Sequence, residues 1–368
     1  MELDNHFTDF LAGIRLTDVQ KVDCEAAHTR LRERLEADPD LAPRIVTTFL
    51  QGSYRRATVV RPLDQSGRVD VDVVVVTRLH EDNYSPKQVV DLLRPFLNTH
   101  YSGWKEHDRS VRLPAGGQSE IDFVVTSSPS QAVLEIAKAA AVSGDWTLAD
   151  DSDWKLVEGW APTALRGTMG AEMLAKFRES LSAPELKAEP LRIPSRDLGQ
   201  WVDTNPLEQI KWTRDKNRAT AGRFVNIVKA IKWWRMRNDL PKYPKGYPLE
   251  QLVGQVCDNG IGSVAEGIAA SFEAIANLGS GRPFVADPGV PGNDVMARVG
   301  VEDYAGFWNL ARDAARQARA ALEAPQVPES ALAWRDLLGP EFPVPAGGFT
   351  PRIEPSAPVG GRFGRRHG

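Results

Sequence analysis

The apolar positions of this chain change period along its length. In 17–35 the residues Val22, Ala26, Leu31 and Leu35 recur at helical spacing, Thr17 is placed to cap the start, and Asp38-Pro39-Asp40 ends the run. Residues 44–50 are rich in β-branched side chains and stop at Gln51-Gly52-Ser53, which predicts a strand followed by a turn. After a loop with Arg61-Pro62 and Ser66-Gly67, residues 69–76 are nearly all valine, interrupted by two aspartates, the pattern of a strand in a covered sheet. Residues 110–113 and 120–126 flank Pro114-Ala115-Gly116-Gly117 and predict an antiparallel pair joined by a turn.

Farther along, the period becomes helical. In 220–238 Phe224, Ile227, Val228, Ile231 and Trp234 share a face; 249–257, 263–278 and 301–324 repeat the pattern, the last through Tyr304, Phe307, Ala311, Ala314, Ala318 and Leu322. Between the two halves, 128–200 mixes Trp154 and Trp160 with polar runs and shows no strong strand pattern, which predicts helices in a variable insertion. Beyond Pro340 the chain turns rich in Pro, Gly and Arg, too poor in apolar residues to pack, so disorder is expected there. The expected organisation is α+β: a sheet-bearing catalytic domain over 1–200 that includes the insertion, a helical domain over 201–340, and a tail over 341–368.

Composition narrows the function classes. Hydrophobic residues make up 42% and charged residues 26% of 368, the proportions of a globular protein. With a net charge of −4 no global basic field exists to hold duplex nucleic acid, and none is expected to bind stably. Met1-Glu2-Leu3-Asp4-Asn5-His6 has no basic region leading into an apolar run, and no stretch is long and apolar enough to span a membrane; a cytoplasmic location without membrane partners is expected. Cys24 and Cys257 lie far apart and no histidine stands at metal-ligand spacing from either, which argues against structural zinc.

The chemistry concentrates in the valine-rich strand. Asp70 and Asp72, two apart, point to one face, while Val69, Val71, Val73 and Val75 point to the other. Two aspartates on one face of a covered strand repel and lose hydration unless a cation sits between them. The alternative, a solvated edge strand of alternating polarity, fits the aspartates but not the valines. Asp122, between Ile121 and Phe123, can supply a third carboxylate from an adjacent strand. Three carboxylates suit two Mg²⁺ ions, with Mn²⁺ able to take the same ligands, and such a pair performs nucleotidyl transfer from a nucleoside triphosphate to a hydroxyl. Gly52-Ser53 offers backbone N–H groups and a hydroxyl to phosphates, with Arg55 and Arg56 near enough to add charge; alone, the dipeptide equally suits an ordinary turn. Lys229 and Lys232 share a helix face and suit an anionic guest, or else form a solvated basic face.

Gln51-Gly52-Ser53-Tyr54-Arg55-Arg56-Ala57-Thr58, Arg61-Pro62-Leu63, Val69-Asp70-Val71-Asp72-Val73 and Ile121-Asp122-Phe123-Val124 together resemble the cGAS/DncV-like nucleotidyltransferases (CD-NTases) of bacteria. Asn205-Pro206, Lys216-Asn217, the helix from Asn226 to Arg235, and Leu240-Pro241-Lys242-Tyr243-Pro244-Lys245-Gly246-Tyr247-Pro248-Leu249-Glu250 are similar to clade D of that family. The resemblance spans most of 1–340. It implies a polymerase-β-like nucleotidyltransferase fold, a mixed sheet with flanking helices, followed by a C-terminal helical domain. It also implies a Mg²⁺-dependent enzyme that joins ATP, and GTP, into a cyclic oligonucleotide second messenger such as cyclic AMP-AMP-GMP. That product would activate an effector in the antiphage systems called CBASS.

Residue by residue, the resemblance implies that Lys232 contacts the donor triphosphate with Lys229 beside it, and that the loop containing Asp287 and Asn293 lies near the nucleotides. A serine common after the lysine helix is replaced here near Lys245-Gly246-Tyr247, leaving Tyr247 to serve through its hydroxyl or by stacking. One class of CBASS operon also implies a ubiquitin-transfer-like partner that conjugates the terminal Gly368; unchanged conjugation after deletion of Gly368 would refute this. Two other readings fit the same aspartates. One is a non-cyclising nucleotidyltransferase that modifies RNA, protein or a small molecule, and the other is a nucleotide-binding sensor that no longer catalyses.

Overall fold

The computed structural model describes residues 1–128, 190–238 and 240–345. Two helices, α1 (Asp4–Ile14) and α2 (Asp18–Ala37), precede the sheet. Thr17 and Gln20 form a capping box that fixes the start of α2, as the position of Thr17 predicts. A five-stranded mixed sheet follows, built from β1 (Ile45–Gln51), β2 (Val69–Thr77), β3 (Lys105–Glu106), β4 (Val111–Pro114) and β5 (Ser119–Thr126) in the order β1-β2-β5-β4-β3. β2 is antiparallel to β1 and parallel to β5, and β4 is antiparallel to β5. The crossover from β2 toward β5 carries the helix α4 (Pro86–His100), and between β1 and β2 lies the single-turn α3 (Gly52–Arg55).

The valines of β2 explain its central place. Val69, Val71, Val73 and Val75 are buried on one face, where α2 packs, and Val74 and Val76 are buried on the other. Only Asp70 and Asp72, at the N-terminal part of the strand, interrupt this burial on the second face. Here β6 (Leu191–Ser195) and β7 (Gln200–Thr204) form an antiparallel hairpin that packs against β5. This hairpin corrects two expectations: 190–200 is not strandless, and a boundary at 200/201 falls within β7, whose pairing with β6 ties the junction to the sheet. The rest of the expected insertion lies outside the described residues, as does most of the expected tail.

The helical half contains α5 (Pro206–Ala219), α6 (Phe224–Arg237), α7 (Tyr247–Val256), α8 (Val264–Asn277), α9 (Val301–Glu323) and α10 (Val327–Leu338), with a small hairpin, β8 (Ala286–Asp287) and β9 (Val290–Asp294), between α8 and α9. Helix α6 is the hub: α1, α5, α7, α8 and α10 all touch it. The long helical run over 220–238 starts four residues later than its pattern suggests, because Asn217 and Thr220 accept from the N–H groups of Val225 and Phe224 and cap a new helix. Helix α1 joins this half rather than the sheet: Phe7 packs edge-on to Trp334 and Phe342 at 5.0 Å each. The two halves therefore interlock through the first helix of the chain. No helix among the described residues is long and apolar enough to cross a membrane.

Candidate active site

Strand pairing assembles the acid site. Gln51, Asp72, Asp122 and Arg112 occupy one row across β1, β2, β5 and β4, with Asp72 paired directly to Asp122. Asp70, one row along, pairs with Glu120. The structure thus brings all three predicted aspartates to one face of the sheet. Burial, and then the neighbouring Asp122, push the Asp72 carboxyl up to about 7, with Arg56 pulling the other way. Burial also raises Asp70, opposed by Arg112.

Arg112, which the sequence reading did not single out, holds these acids together. Its Nε and Nη2 donate to the two oxygens of Asp122 at 3.1 and 3.0 Å, and the guanidinium reaches Asp70 at 3.6 Å and Glu120 at 3.5 Å. Its own pKa is raised, first by the hydrogen-bonded Asp122. Among the described residues no three His, Cys, Asp or Glu side chains are gathered closely enough to hold a metal ion. The Arg112 guanidinium supplies the positive charge among these carboxylates. The donor set fits divalent magnesium: hard carboxylate oxygens, crowded on one face, already gathered around positive charge.

Gly52 is the tightest point of the site. Its φ is +71°, and a Cβ there would lie 1.8 Å from Oδ2 of Asp72, so the backbone passes directly over the carboxylate. Ser53 follows at the mouth of a cavity of about 590 Å³ between the two halves. Asp70 and Ser53 line it from the sheet side, and Lys232, Arg235, Lys242 and Lys245 from the helical side. Asp70 therefore faces a cationic wall across a space of nucleotide size. A second cavity of about 210 Å³ is lined by Asp72 together with Gln51, Arg109, Ser110 and Thr204.

The remaining predicted residues divide between this cleft and its supports. Lys232 lines the cavity, but Lys229 is fully buried in α6 and does not. Arg55 is half-buried, its pKa drawn down to about 10 by burial. Arg56 is buried and spent on Glu250, so it supports the Gly-Ser turn from beneath. Tyr247 lies 4.8 Å under the Arg56 guanidinium and donates its hydroxyl to Asp287 at 3.2 Å. Asp287 also accepts from Gln209 at 3.0 Å and from the Gly289 N–H at 2.8 Å, which anchors the β8–β9 hairpin on α5 and α7. Asn293 is exposed on that hairpin and does not line the cleft.

Three comparisons place this geometry among known proteins. Residues 1–151 match the family described as the Second Messenger Oligonucleotide or Dinucleotide Synthetase domain. A cyclic AMP-AMP-GMP synthase of Enterobacter hormaechei subsp. hoffmannii (strain UCI 50) is 41% identical over 99% of this chain and 100% of its own length. A probable cyclic AMP-AMP-GMP nucleotide synthase of Salmonella paratyphi B is 38% identical over the same shares. Among solved structures, E. coli MS115-1 CdnC with ATP superposes with a TM-score of 0.60 at 17% identity, covering 93% of this chain and 100% of that one, a likeness of fold.

Proposed function

The chain belongs to the bacterial second messenger oligonucleotide or dinucleotide synthetases, nucleotidyltransferases that make cyclic oligonucleotides, and from that premise we propose that it condenses ATP and GTP into cyclic AMP-AMP-GMP. The observation that carries the reading is the set of aspartates on one sheet face, Asp72 paired with Asp122 and Asp70 one row along, with Asp70 lining the same cavity as Ser53 and Lys232. The relatives' product supports the choice of bases. Antiphage signalling through a cyclic-nucleotide-activated effector, in the cytoplasm, completes the proposal and rests on the resemblance to CBASS enzymes.

In this reading a hydroxyl of one nucleotide attacks the α-phosphate of another, the new O–P bond forms as the bond to pyrophosphate breaks, and three such steps close a ring of three. Asp70, Asp72 and Asp122 would hold the Mg²⁺. When bound, that metal lowers the pKa of the attacking hydroxyl and neutralises charge on the leaving group. Ser53 and Lys232 hold the triphosphate tail against the sheet, which fixes the α-phosphate relative to Asp70 and Asp72. Arg112 orients Asp122 by its fork of hydrogen bonds.

The test is to incubate the purified protein with Mg²⁺ and each combination of the four ribonucleoside triphosphates and to identify phosphatase-resistant products by mass spectrometry. The expected outcome is a cyclic trinucleotide with two AMP and one GMP units, absent from the Asp70→Asn, Asp72→Asn double variant. Linear tails or adenylylated protein would instead establish a non-cyclising transferase.

A further inference from the structure

A heavily compensated buried charge outside the aspartate row is Glu250, on α7. Its side chain is 0% exposed. Arg56 Nε donates to Oε1 at 2.6 Å and Thr58 Oγ1 donates to Oε2 at 2.7 Å, so two residues that follow the Gly-Ser turn are tied to the helical half. Lys232 Nζ lies 3.7 Å from the same Oε2 and donates to the Thr58 carbonyl at 3.0 Å. One carboxylate thus answers two buried cations, one in each half of the chain.

We propose that Glu250 is a positioning residue that holds the Lys232 ammonium at the wall of the triphosphate cavity. An ammonium has three hydrogens. Thr58 takes one, Glu250 draws a second, and the third is left for an anionic guest. With the carboxylate charge removed, Arg56 and Lys232 become two buried like charges sharing one pocket, and the flexible lysine withdraws or sheds its proton. Burial already draws Lys232 below the ordinary lysine range, with Glu250 as the main opposing influence. Arg56, stacked on Tyr247, has no such freedom. The inference rests on the reading of Lys232 as a triphosphate contact, and its test separates the two.

Steady-state kinetics and direct ATP binding are measured for Glu250→Gln, Lys232→Met and the double variant, with thermal melts to verify folding. Glu250→Gln should raise KM for ATP about tenfold with a smaller change in kcat, and Glu250→Asp should recover part of the affinity. In the Lys232→Met background Glu250→Gln should weaken binding no further, because its effect passes through the lysine. Additive losses, or parental KM in a folded Glu250→Gln, overturn the inference while leaving Lys232 in place. Parental ATP binding by Lys232→Met overturns the reading of Lys232 itself, and this inference with it. If Glu250→Gln does not fold, Thr58→Val, which removes one hydrogen bond from the same carboxylate, is read through the same cycle.

Discussion

Replacing Asp72 with asparagine should make the metal-free protein more stable, and the gain should depend on pH. In the fold the Asp72 carboxyl is pushed from 3.8 up to about 7. In the unfolded chain it titrates near the ordinary value, so between about pH 4 and 7 the unfolded state releases its proton first. A raised folded-state pKa therefore means that stability is lost as pH rises through this window. The loss reaches about 4 kcal/mol at pH 8, where the whole shift is expressed, and only about 2 kcal/mol at pH 5. Asparagine has the same shape and no charge, so the variant escapes both losses. Unfolding entropy of about 2.1 cal/mol/K per residue converts these energies to melting shifts of about 5 °C at pH 8 and about 2 °C at pH 5. The assay is thermal unfolding of parent and variant in the presence of a chelator at both pH values. A gain that is absent, or equal at the two pH values, refutes the argument that crowded, buried carboxylates set the energetics of this face.

Two further substitutions probe the same cleft. Arg112→Met leaves Asp70, Glu120 and Asp122 without their guanidinium, which should cost about 1–3 kcal/mol without metal. If the guanidinium stands in for a divalent cation, Mg²⁺ should raise the melting temperature of this variant more than that of the parent, and equal shifts would count against that assignment. Gly52→Ala places a methyl 1.8 Å from Asp72 Oδ2 at a φ of +71°, so the carboxylate must move. Product formation should fall by about 100-fold or more, while left-handed strain costs only about 1–2 kcal/mol of stability. A variant that keeps its activity would show that the close approach does not set the position of Asp72.

Most of the main sheet and half of the helices were legible because each carries one periodicity. The valine run in β2, the β-branched run in β1 and the turn between β4 and β5 are local signals, and the structure places strands at all of them. Helices α1, α4, α5 and α10 were not singled out, although α4 has its own capping box at Ser85 and Gln88. The β6–β7 hairpin was missed because Leu191, Ile193 and Trp201 alternate over only a few residues beside a long polar stretch. Lys229 was misleading for a physical reason. Spacing of three on a helix establishes a shared face, but a fully buried lysine and a cavity-lining one can occupy neighbouring parts of it.

Arg112 was partly legible and Glu250 was not, and the difference lies in how far each contact reaches. Once a turn closes Pro114 against Glu120, antiparallel pairing sets Arg112 opposite Asp122, so the hairpin alone predicts the contact. Glu250 meets Arg56 across 194 positions of sequence, and nothing local to either marks the pair. Yet the two residues solve the same problem. A cleft for a polyanionic nucleotide and divalent cations needs acids on one wall and bases on the other, half out of water, where like charges on either wall repel strongly. Arg112 supplies the opposite charge within the acidic wall, and Glu250 supplies it within the basic one. Each wall thus carries its own counter-ion. In the proposed function the charges that meet the ligand are held at close quarters before it binds, so less of the binding energy is consumed in gathering them.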